Sequence, residues 1–334
     1  MDYLLIIPLL VSFIVALISL PYWIKKCKSV NLLWKDMNKF GHPKNVASSG
    51  GIVVIMAFIL GVLTYVALKT FIFQGVVNAL EIFSLLSMVL ILGIVGLIDD
   101  LLGWENGGLS NRLRIFLAFI ASVPLVVINA GVHTMQIPFF GLVNFGILYP
   151  LLLVPLGVAG AATTYNFLAG FNGLEVGQGI LILSFLSFVA YVSKSPWLAI
   201  IGLCMVASLL SFYFFNRFPA KVFPGDIMTY SIGALIAGMA ILGNFEKIAI
   251  VVFIPYILEV ILKIRGGLIN VHSFGIPNKR GELKMPYKKV YGLEHLAIKI
   301  LNKFGKATEK KVVYLIYSFQ ILFILIGFFM IGLY

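Results

Sequence analysis

The chain has 334 residues, of which 61% are hydrophobic and only 11% are charged, and its mean hydropathy is +1.05. Water-soluble domains carry about 25% charged residues, so this composition excludes a soluble globular protein, and it excludes an intrinsically disordered one for the same reason. The formal net charge of +12 leaves two explanations: binding to nucleic acid, or basic loops on one side of a membrane.

Apolar stretches long enough to cross a membrane recur along the whole chain. A transmembrane helix needs about 20 such residues. The first stretch has no basic leader and no small-residue cleavage site, so we expect a retained helix rather than a signal peptide. The sequence predicts a single integral-membrane domain over residues 1–334, with about ten spans at residues 3–24, 49–69, 79–98, 113–130, 145–165, 174–193, 196–214, 226–243, 246–262 and 312–334.

Basic residues distinguish the two sides of the membrane. The loops that alternate onto one side contain 22 of the 25 lysines and arginines, counting Arg114 at the edge of its span. Cytoplasmic loops collect Lys and Arg, so the sequence predicts that these loops are cytoplasmic and that both termini are extracytoplasmic. The positive charge then marks topology, which excludes nucleic acid as the partner. Carboxylates concentrate beside the same loops, so we expect an active site there; the loops are residues 25–48, 99–112, 166–173, 215–225 and 263–311.

An aspartate pair, Asp99-Asp100, closes the third predicted span. The C-terminus of a helix carries partial negative charge, which disfavours two adjacent carboxylates. One interpretation is a pair of solvated loop acids. The alternative is that a cation, or a metal bound to phosphate, offsets the repulsion, as in many metal-dependent phosphate enzymes.

The segment from Asn166 to Glu175 joins the fifth and sixth predicted spans. Asn172 and Glu175 fit a capping box that begins the sixth helix, and capping explains both residues. It does not explain Asn166 at the end of an apolar helix. Nor does it explain Gly170 and Gly173, since glycine lets a backbone approach a ligand closely.

The motif Phe223-Pro224-Gly225-Asp226 begins the eighth predicted span. Asp is favoured at a helix N-cap, so Asp226 has a structural interpretation. It also suits Mg²⁺, which takes one or two carboxylates together with substrate phosphates. The motif alone leaves both interpretations open.

The loop 263–311 is the longest polar stretch. Its segment Asn278-Lys279-Arg280 could bind phosphate, with Arg acting bidentately and Lys as a point charge. Residues 290–304 repeat apolar side chains at helical spacing among lysines, which predicts an amphipathic helix on the inner leaflet. Four scattered histidines and no cysteine pair argue against a zinc site.

Together, Asp99-Asp100, the Asn166-to-Glu175 segment and the Phe223-to-Asp226 motif resemble the polyprenyl-phosphate N-acetylhexosamine-1-phosphate transferases. The sequence of the Asn166-to-Glu175 segment is most similar to that of the dolichyl-phosphate branch, which is related to the phospho-MurNAc-pentapeptide translocases. The resemblance implies an all-α polytopic membrane protein with its catalytic loops on the cytoplasmic face of the cell membrane, or of the ER membrane in a eukaryote. It implies Mg²⁺, with Mn²⁺ as the substitute, and a homodimer as the common assembly.

The implied reaction moves N-acetylhexosamine-1-phosphate, GlcNAc-1-phosphate first of all, from a UDP-sugar to a polyprenyl or dolichyl phosphate. UMP is released, and the product starts a lipid-linked glycan for protein N-glycosylation or a cell-surface polysaccharide. Both direct in-line attack by the lipid phosphate and a covalent aspartyl intermediate remain open. The tail of the acceptor is expected in a groove near the fourth, fifth and ninth spans.

The resemblance also implies residue roles. Asn166 and Asp226 would hold the metal. Asp99 and Asp100 would orient or deprotonate the attacking lipid phosphate, and Arg114 would be the third catalytic residue. The nucleotide would be bound by Lys35, Asp36, Met37 and Asn172. The sugar and pyrophosphate would be reached by Asn278, Lys279 and Arg280, and the lipid-phosphate site and groove would be lined by Arg112, Tyr165 and Phe167.

The chain departs from the family pattern at three places. Arg114 stands where the family commonly has Lys, which keeps the charge but changes its shape. Residues 46–50 are Val-Ala-Ser-Ser-Gly instead of Pro-Glu-Ser-x-Gly, so one expected sugar contact is missing. Asn278-Lys279-Arg280 replaces the histidine cluster or the Arg-His-Arg of the two branches. These departures leave the identity of the hexosamine open.

A transporter or flippase with acidic coupling residues is the alternative function. It would place ionisable residues near the bilayer centre and often shows inverted repeats. Glu259 is the main candidate within a span, but it lies towards the cytoplasmic end, and the sequence contains no evident repeat. The enzyme is therefore favoured.

Overall fold

Most of the described residues are helical. The computed structural model describes residues 3–137, 141–267 and 271–331, so residues 268–270 of the long loop and 332–334 of the last predicted span lie outside the described residues. The α-helices within these ranges are α1 Ile7–Ser29, α2 Gly51–Ala67, α3 Ala79–Asn106, α4 Asn111–Ala121, α5 Val123–Val127, α6 Val154–Tyr165, α7 Leu174–Val192, α8 Pro196–Asn216, α9 Asp226–Gly243, α10 Glu246–Val252, α11 Ile254–Arg265, α12 Leu293–Phe304 and α13 Glu309–Ile331.

Seven helices in the described ranges are long and apolar enough to cross a membrane. Their number and length make the chain an all-α polytopic integral membrane protein, as the composition predicts. The α9 boundaries coincide with the predicted span 226–243. The seven segments are Leu4–Ser29, Gly51–Ile72, Ala79–Gly103, Leu174–Val192, Pro196–Asn216, Asp226–Gly243 and Glu309–Ile331.

Of the three remaining predicted spans, residues 113–130 and 246–262 are interrupted, and residues 145–165 form a shorter apolar helix, Tyr149–Tyr165. α4 ends before Ser122 and α5 follows with Pro124 in its first turn. The fifth span begins with a π-helical turn, Tyr149–Leu153, and continues as α6. α10 and α11 divide at Phe253, two residues before a proline. Proline lacks the N–H of a regular helix and clashes with the preceding turn, which accounts for these interruptions.

Among the described residues, three short antiparallel strand pairs lie outside the helix bundle. The first connects α1 to α2, the second lies between α5 and α6, and the third belongs to the long loop before α12. The strand pairs are β1 Leu33–Lys35 with β2 Lys44–Ala47, β3 Thr134–Ile137 with β4 Gly141–Asn144, and β5 Ile276–Pro277 with β6 Leu283–Lys284.

The aspartate pair lies inside a helix rather than in a loop. α3 continues past Asp100 to Asn106, so the predicted loop 99–112 is reduced to residues 107–110. Asp99 lies about two turns before the helix end, and the expectation of a carboxylate pair at a helix C-terminus was wrong. The neighbour that faces the pair is the N-terminus of α9.

α9 is the central helix, and its side chains are buried on all sides by α3, α6, α2 and α7. Glycines on α3 allow its close approach to α9. A Cβ on Gly96 would lie 2.5 Å from the backbone carbon and oxygen of Asp226, and a Cβ on Gly93 would lie 2.9 Å from Ser231 Oγ. The small residues therefore bring the acids of α3 against the start of α9.

Replacing Gly96 by Ala is expected to destabilise the protein. The added methyl meets backbone atoms of α9, which cannot rotate away, and overpacking of this kind costs about 1–3 kcal/mol. Thermal unfolding in detergent measures the effect as a lower melting temperature. Gly157→Ala on α6 is the matched control, because a Cβ there meets no atom within 4 Å. Equal melting temperatures for the two variants would show that α3 and α9 do not depend on this contact.

Candidate active site

A cavity of about 610 Å³ opens at the end of the bundle where α3 ends and α9 begins. Ligand pockets are typically about 300–1,000 Å³. Its walls come from the β1–β2 hairpin, the end of α3, the segment between α6 and α7, the segment leading into α9, and Phe274. The polar and charged lining residues are Lys35, Asp36, Lys44, Ser48, Asp100, Asn166, Glu175, Asp226 and Thr229.

Three carboxylates and one guanidinium form the centre of this region. Arg114 Nη1 lies 3.0 Å from Asp99 Oδ2 and 3.5 Å from Asp226 Oδ2, so it bridges α3 and α9. The other oxygen of Asp99 accepts a hydrogen bond from the Leu109 amide. A smaller cavity of about 320 Å³ is lined by the same four residues, Asp99, Asp100, Arg114 and Asp226. One cation among three carboxylates leaves an excess of negative charge, which a bound cation would offset.

Asp100 caps the N-terminus of α9. Its Oδ1 accepts the Asp226 amide at 2.8 Å and its Oδ2 accepts the Ile227 amide at 3.4 Å. These amides are among the unpaired donors at the start of a helix. Gly225 precedes them at φ +74°, and a Cβ there would collide with Asp100 Oδ2. In this structure Asp226 is the first residue of the helix, and the cap that sequence analysis assigned to it is supplied by Asp100.

Asp100→Ala is expected to lower the melting temperature of the protein in detergent. Losing a carboxylate cap costs about 0.5–2 kcal/mol, and here it frees the backbone that positions Asp226. Asp100→Asn keeps one acceptor and should melt closer to the wild type. An Asp100→Ala variant with the wild-type melting temperature would contradict the capping role.

Asn166 is positioned by α9. The Thr229 hydroxyl donates to Asn166 Oδ1 at 3.0 Å, and Thr229 lies one helical turn after Asp226. Asn166 and Asp226 therefore line one cavity, although 60 residues separate them in the chain. An amide oxygen and a carboxylate are hard donors of the kind Mg²⁺ prefers. Among the described residues, no three His, Cys, Asp or Glu side chains form a metal-binding group.

The predicted nucleotide-binding residues fall into two groups. Lys35, Asp36 and Met37 line the cavity. Asn172 is buried behind it, where its Nδ2 donates to Asp36 Oδ2 at 3.1 Å and its backbone amide donates to Glu309 Oε1 at 2.8 Å. Asn172 thus holds Asp36 in place.

The segment Asn278-Lys279-Arg280 lies in the turn between β5 and β6 and lines neither of these two cavities. The Asn278 side chain forms its hydrogen bonds within the turn. Its Oδ1 accepts from the backbone amides of Arg280 and Glu282, and its Nδ2 donates to Glu282 Oε2 at 2.8 Å. Lys279 and Arg280 are exposed. The structure does not bring this predicted sugar-binding set to the carboxylates.

The three residues predicted for the lipid-phosphate site and groove are also dispersed. Tyr165 is fully buried, donates to the Glu175 carbonyl at 2.6 Å and stacks on Tyr256. It is a core residue and does not line a groove. Arg112 is exposed at the start of α4, and Phe167 follows Asn166 with its ring 5.4 Å from Lys263 Nζ.

An apolar groove of about 480 Å³ lies between α6, α9, α10 and α11. Apolar residues dominate its walls, among them Leu153, Ile236, Phe253 and Ile261. The fifth and ninth predicted spans line the groove, as expected. The eighth predicted span lines it as well, where the fourth was expected. One end is polar, where the Tyr149 hydroxyl donates to Glu246.

Several residues of the site were missed in the sequence. The aromatic residues Trp34, Phe171, Phe223 and Phe274 line the main cavity, and Phe171 among them is only 2% exposed. Lys44 lines it from β2, directly opposite Lys35 of β1.

Asn38 is another missed residue, and it joins two loops: its Nδ2 donates to the Gly170 carbonyl at 2.8 Å, and its Oδ1 accepts the Gly275 amide at 3.1 Å. These partners are 132 and 237 residues away. Local sequence patterns carry no signal for such contacts.

The sequence of this chain is similar to those of one protein family. The profile of glycosyl transferase family 4 matches residues 82–244. A protein of Saccharolobus solfataricus named "Putative UDP-N-acetylglucosamine--dolichyl-phosphate N-acetylglucosaminephosphotransferase" is 34% identical over 325 residues, covering 96% of this chain and 95% of the relative.

Two further relatives represent the two branches. The UDP-N-acetylglucosamine--dolichyl-phosphate N-acetylglucosaminephosphotransferase of Dictyostelium discoideum is 31% identical over 69% of this chain and 64% of its own. A phospho-N-acetylmuramoyl-pentapeptide-transferase of a Wolbachia species is 29% identical over 74% of this chain and 77% of its own. The chain belongs to the polyprenyl-phosphate N-acetylhexosamine-1-phosphate transferases of glycosyl transferase family 4.

Proposed function

We propose that this protein transfers GlcNAc-1-phosphate from UDP-GlcNAc to a polyprenyl phosphate of the dolichyl type and releases UMP. The single observation that carries the proposal is the shared cavity of Asn166, Asp100 and Asp226, with Arg114 bridging Asp99 and Asp226 beside it. The names of the relatives from Saccharolobus and Dictyostelium support both the sugar and the lipid.

In this reaction an oxygen of the lipid phosphate attacks the phosphorus that carries the sugar. The new P–O bond joins the two phosphates, and the bond to UMP breaks with its electron pair staying on UMP. A phosphate monoester has a second pKa of about 6, so the acceptor is largely dianionic at neutral pH and needs no strong base. We therefore favour direct attack over a covalent aspartyl intermediate.

Asn166 and Asp226 would hold Mg²⁺, or Mn²⁺ in its place. When bound, the cation would supply positive charge against the diphosphate of the nucleotide. Arg114 would supply a second positive charge to the transferring oxygens, since phosphoryl transfer depends chiefly on positioning and charge neutralisation. Asp99 would orient Arg114, and Asp100 would hold the α9 N-terminus in place.

The β1–β2 hairpin would bind the nucleotide. Lys35 and Lys44 are directly opposed across the two strands and face one cavity. Two lysines on the wall of one cavity would attract the anionic phosphates of a nucleotide. The aromatic ring of Phe223 would offer a surface for the uracil base.

The apolar groove would take the acceptor's hydrocarbon tail. It lies along α9, the helix whose N-terminus carries Asp226, and its walls come from four helices. The tail would enter from among lipid chains of similar polarity, so the groove would position it through packing contacts and not through removal from water. This arrangement lets an insoluble acceptor meet a soluble nucleotide at the membrane surface.

We further propose ten crossings, extracytoplasmic termini and a cytoplasmic active site, supported by the 22 of 25 basic residues on one side. Labelling of single introduced cysteines tests the topology, because the two native cysteines are buried. An impermeant maleimide applied outside intact cells should label position 194 and not position 299. The family resemblance also favours a homodimer, which mass photometry in detergent would detect.

The reaction itself is tested with purified protein in detergent, Mg²⁺, UDP-GlcNAc and a polyprenyl phosphate. We expect UMP release that stops when either EDTA replaces the metal or the lipid is omitted. UMP release without lipid would indicate hydrolysis, and no release with any UDP-hexosamine would contradict the proposed function.

A further inference from the structure

A cluster of polar side chains is buried outside the active site, where α11, α12 and the long loop meet. It consists of Glu259 and Lys263 on α11, Ser273 in the loop, and Glu294 and His295 on α12. Each is at most 9% exposed. None of these residues lines either cavity of the candidate active site.

Lys263 connects this cluster to the active-site segment. Its Nζ donates to the Phe167 carbonyl, to Ser273 Oγ at 2.9 Å, and lies 3.3 Å from Glu259 Oε1. The other oxygen of Glu259 accepts the Leu293 amide at 2.6 Å. One ammonium and one carboxylate therefore join α11, α12, the long loop and the segment between α6 and α7.

The remaining members of the cluster do not supply a second charge pair. Burial, followed by the repulsion of Glu259, raises the pKa of Glu294 well above its ordinary value, which favours its neutral form. Burial, followed by His272 and Lys263, lowers the pKa of His295 to about 4, so it is neutral at pH 7. Lys263 and Glu259 are thus the principal charges of this buried cluster.

A buried ion pair is a costly way to stabilise a fold, because apolar residues of similar volume often serve as well or better. Lys263 does something that an apolar side chain cannot do: it donates to a backbone carbonyl of another segment. That carbonyl belongs to the residue directly after Asn166. The neighbouring Gly170 is held as well, by Asn38 and by Glu175. Lys263 fixes the beginning of the segment, and these contacts fix its middle.

We propose that Lys263 is a positioning residue: its buried ammonium holds the Phe167 carbonyl and so sets the direction of the Asn166 side chain into the cavity. The role given to Asn166 rests on the proposed function. The claim that Lys263 holds the Phe167 carbonyl in place does not. A residue behind a metal ligand commonly affects metal affinity or activity by about 10- to 100-fold when it is replaced. We expect an effect of that size from Lys263.

Lys263→Met tests the proposal, because methionine keeps most of the side-chain volume and removes the donor. Two readouts are needed besides kcat. Hydrogen–deuterium exchange of the 166–173 backbone, without substrate, should become faster. Binding of Mn²⁺, followed by electron paramagnetic resonance in the presence of UDP, should weaken about 10- to 100-fold, and kcat should fall with it. Lys299→Met is the matched control, since Lys299 is exposed on α12.

The double variant Glu259→Gln with Lys263→Met separates positioning from simple loss of stability. It removes both charges, so no carboxylate is left buried and unpaired. We expect it to regain the melting temperature while the fast exchange and weak Mn²⁺ binding persist. It also serves as the test protein if Lys263→Met alone does not fold.

Unchanged exchange at residues 166–173 in both variants would overturn the proposal, whatever the protein catalyses. Recovery of Mn²⁺ binding in the double variant would overturn it as well, because a stability defect would then explain everything. A wild-type protein that releases no UMP would contradict the proposed function, and the exchange experiment would still decide the role of Lys263.

Discussion

Replacing Asp226 by Asn should remove nearly all transfer activity and leave the protein folded. Asn has the same shape, and the backbone amides capped by Asp100 are unchanged. The substitution removes the negative charge that would hold the metal and that pairs with Arg114 at 3.5 Å. Loss of one group that stabilises a transition state typically costs about 10²–10³ in kcat, and we expect a loss in this range.

The measurement is UMP release by purified variants of equal melting temperature. Glu81→Gln is the matched control, because Glu81 lies in the first turn of α3, at the opposite end of that helix from Asp99. It should keep the wild-type kcat. If Asp226→Asn turns over at the wild-type rate, Asp226 has no part in the reaction.

Arg114 gives the second large effect, and the two substitutions at this position should differ. Arg114→Met removes the positive charge between Asp99 and Asp226, so kcat should fall about 10²–10³-fold. Arg114→Lys restores the residue that is common in the family. It keeps the charge and loses only the planar geometry of the guanidinium, so we expect it to remain within about tenfold of the wild type.

Steady-state kinetics with varied polyprenyl phosphate distinguishes an effect on kcat from an effect on KM. Arg265→Met, an exposed arginine at the end of α11, is the control and should behave as the wild type. Equal kcat for Arg114→Met and Arg265→Met would exclude Arg114 from charge stabilisation. A Lys variant as inactive as the Met variant would show that geometry matters more than charge here.

Continuous apolar length was the most reliable feature in the sequence. Residues 226–243 form a helix at the predicted bounds, because an apolar segment of this length satisfies its backbone hydrogen bonds in a membrane by forming a helix. Helix interruptions were harder to predict. Prolines within a span are compatible with both straight and broken helices, and the packing of neighbouring helices decides between them, as at Phe253.

The ends of helices were also poorly predicted. α3 continues through Asp99 and Asp100 to Asn106, although the polar pair marks the end of apolar sequence. Their carboxylates are satisfied by Arg114 and by the N-terminus of α9. A distant element therefore determines a helix boundary, and a local pattern cannot show this.

Within the site, motifs identified residues whose chemistry is unusual for their position, such as Asn166 and Asp226 beside apolar spans. Both line one cavity. The sequence could not show that the Asn278 side chain forms its hydrogen bonds within its own turn, although a polar Asn-Lys-Arg-Gly segment is typical of turns. It also could not show that Lys44 and Asn38 belong to the site. Lys44 is placed by its cross-strand partner, and Asn38 by a contact between two loops.

Anomalous diffraction at the manganese edge, from crystals grown with Mn²⁺ and UDP, tests the proposed metal site most directly. We expect one manganese peak in the main cavity, in contact with the Asn166 side-chain oxygen, the Asp226 carboxylate and the nucleotide's phosphates. A peak elsewhere, or a bound UDP with no peak between these two side chains, would contradict the proposed site.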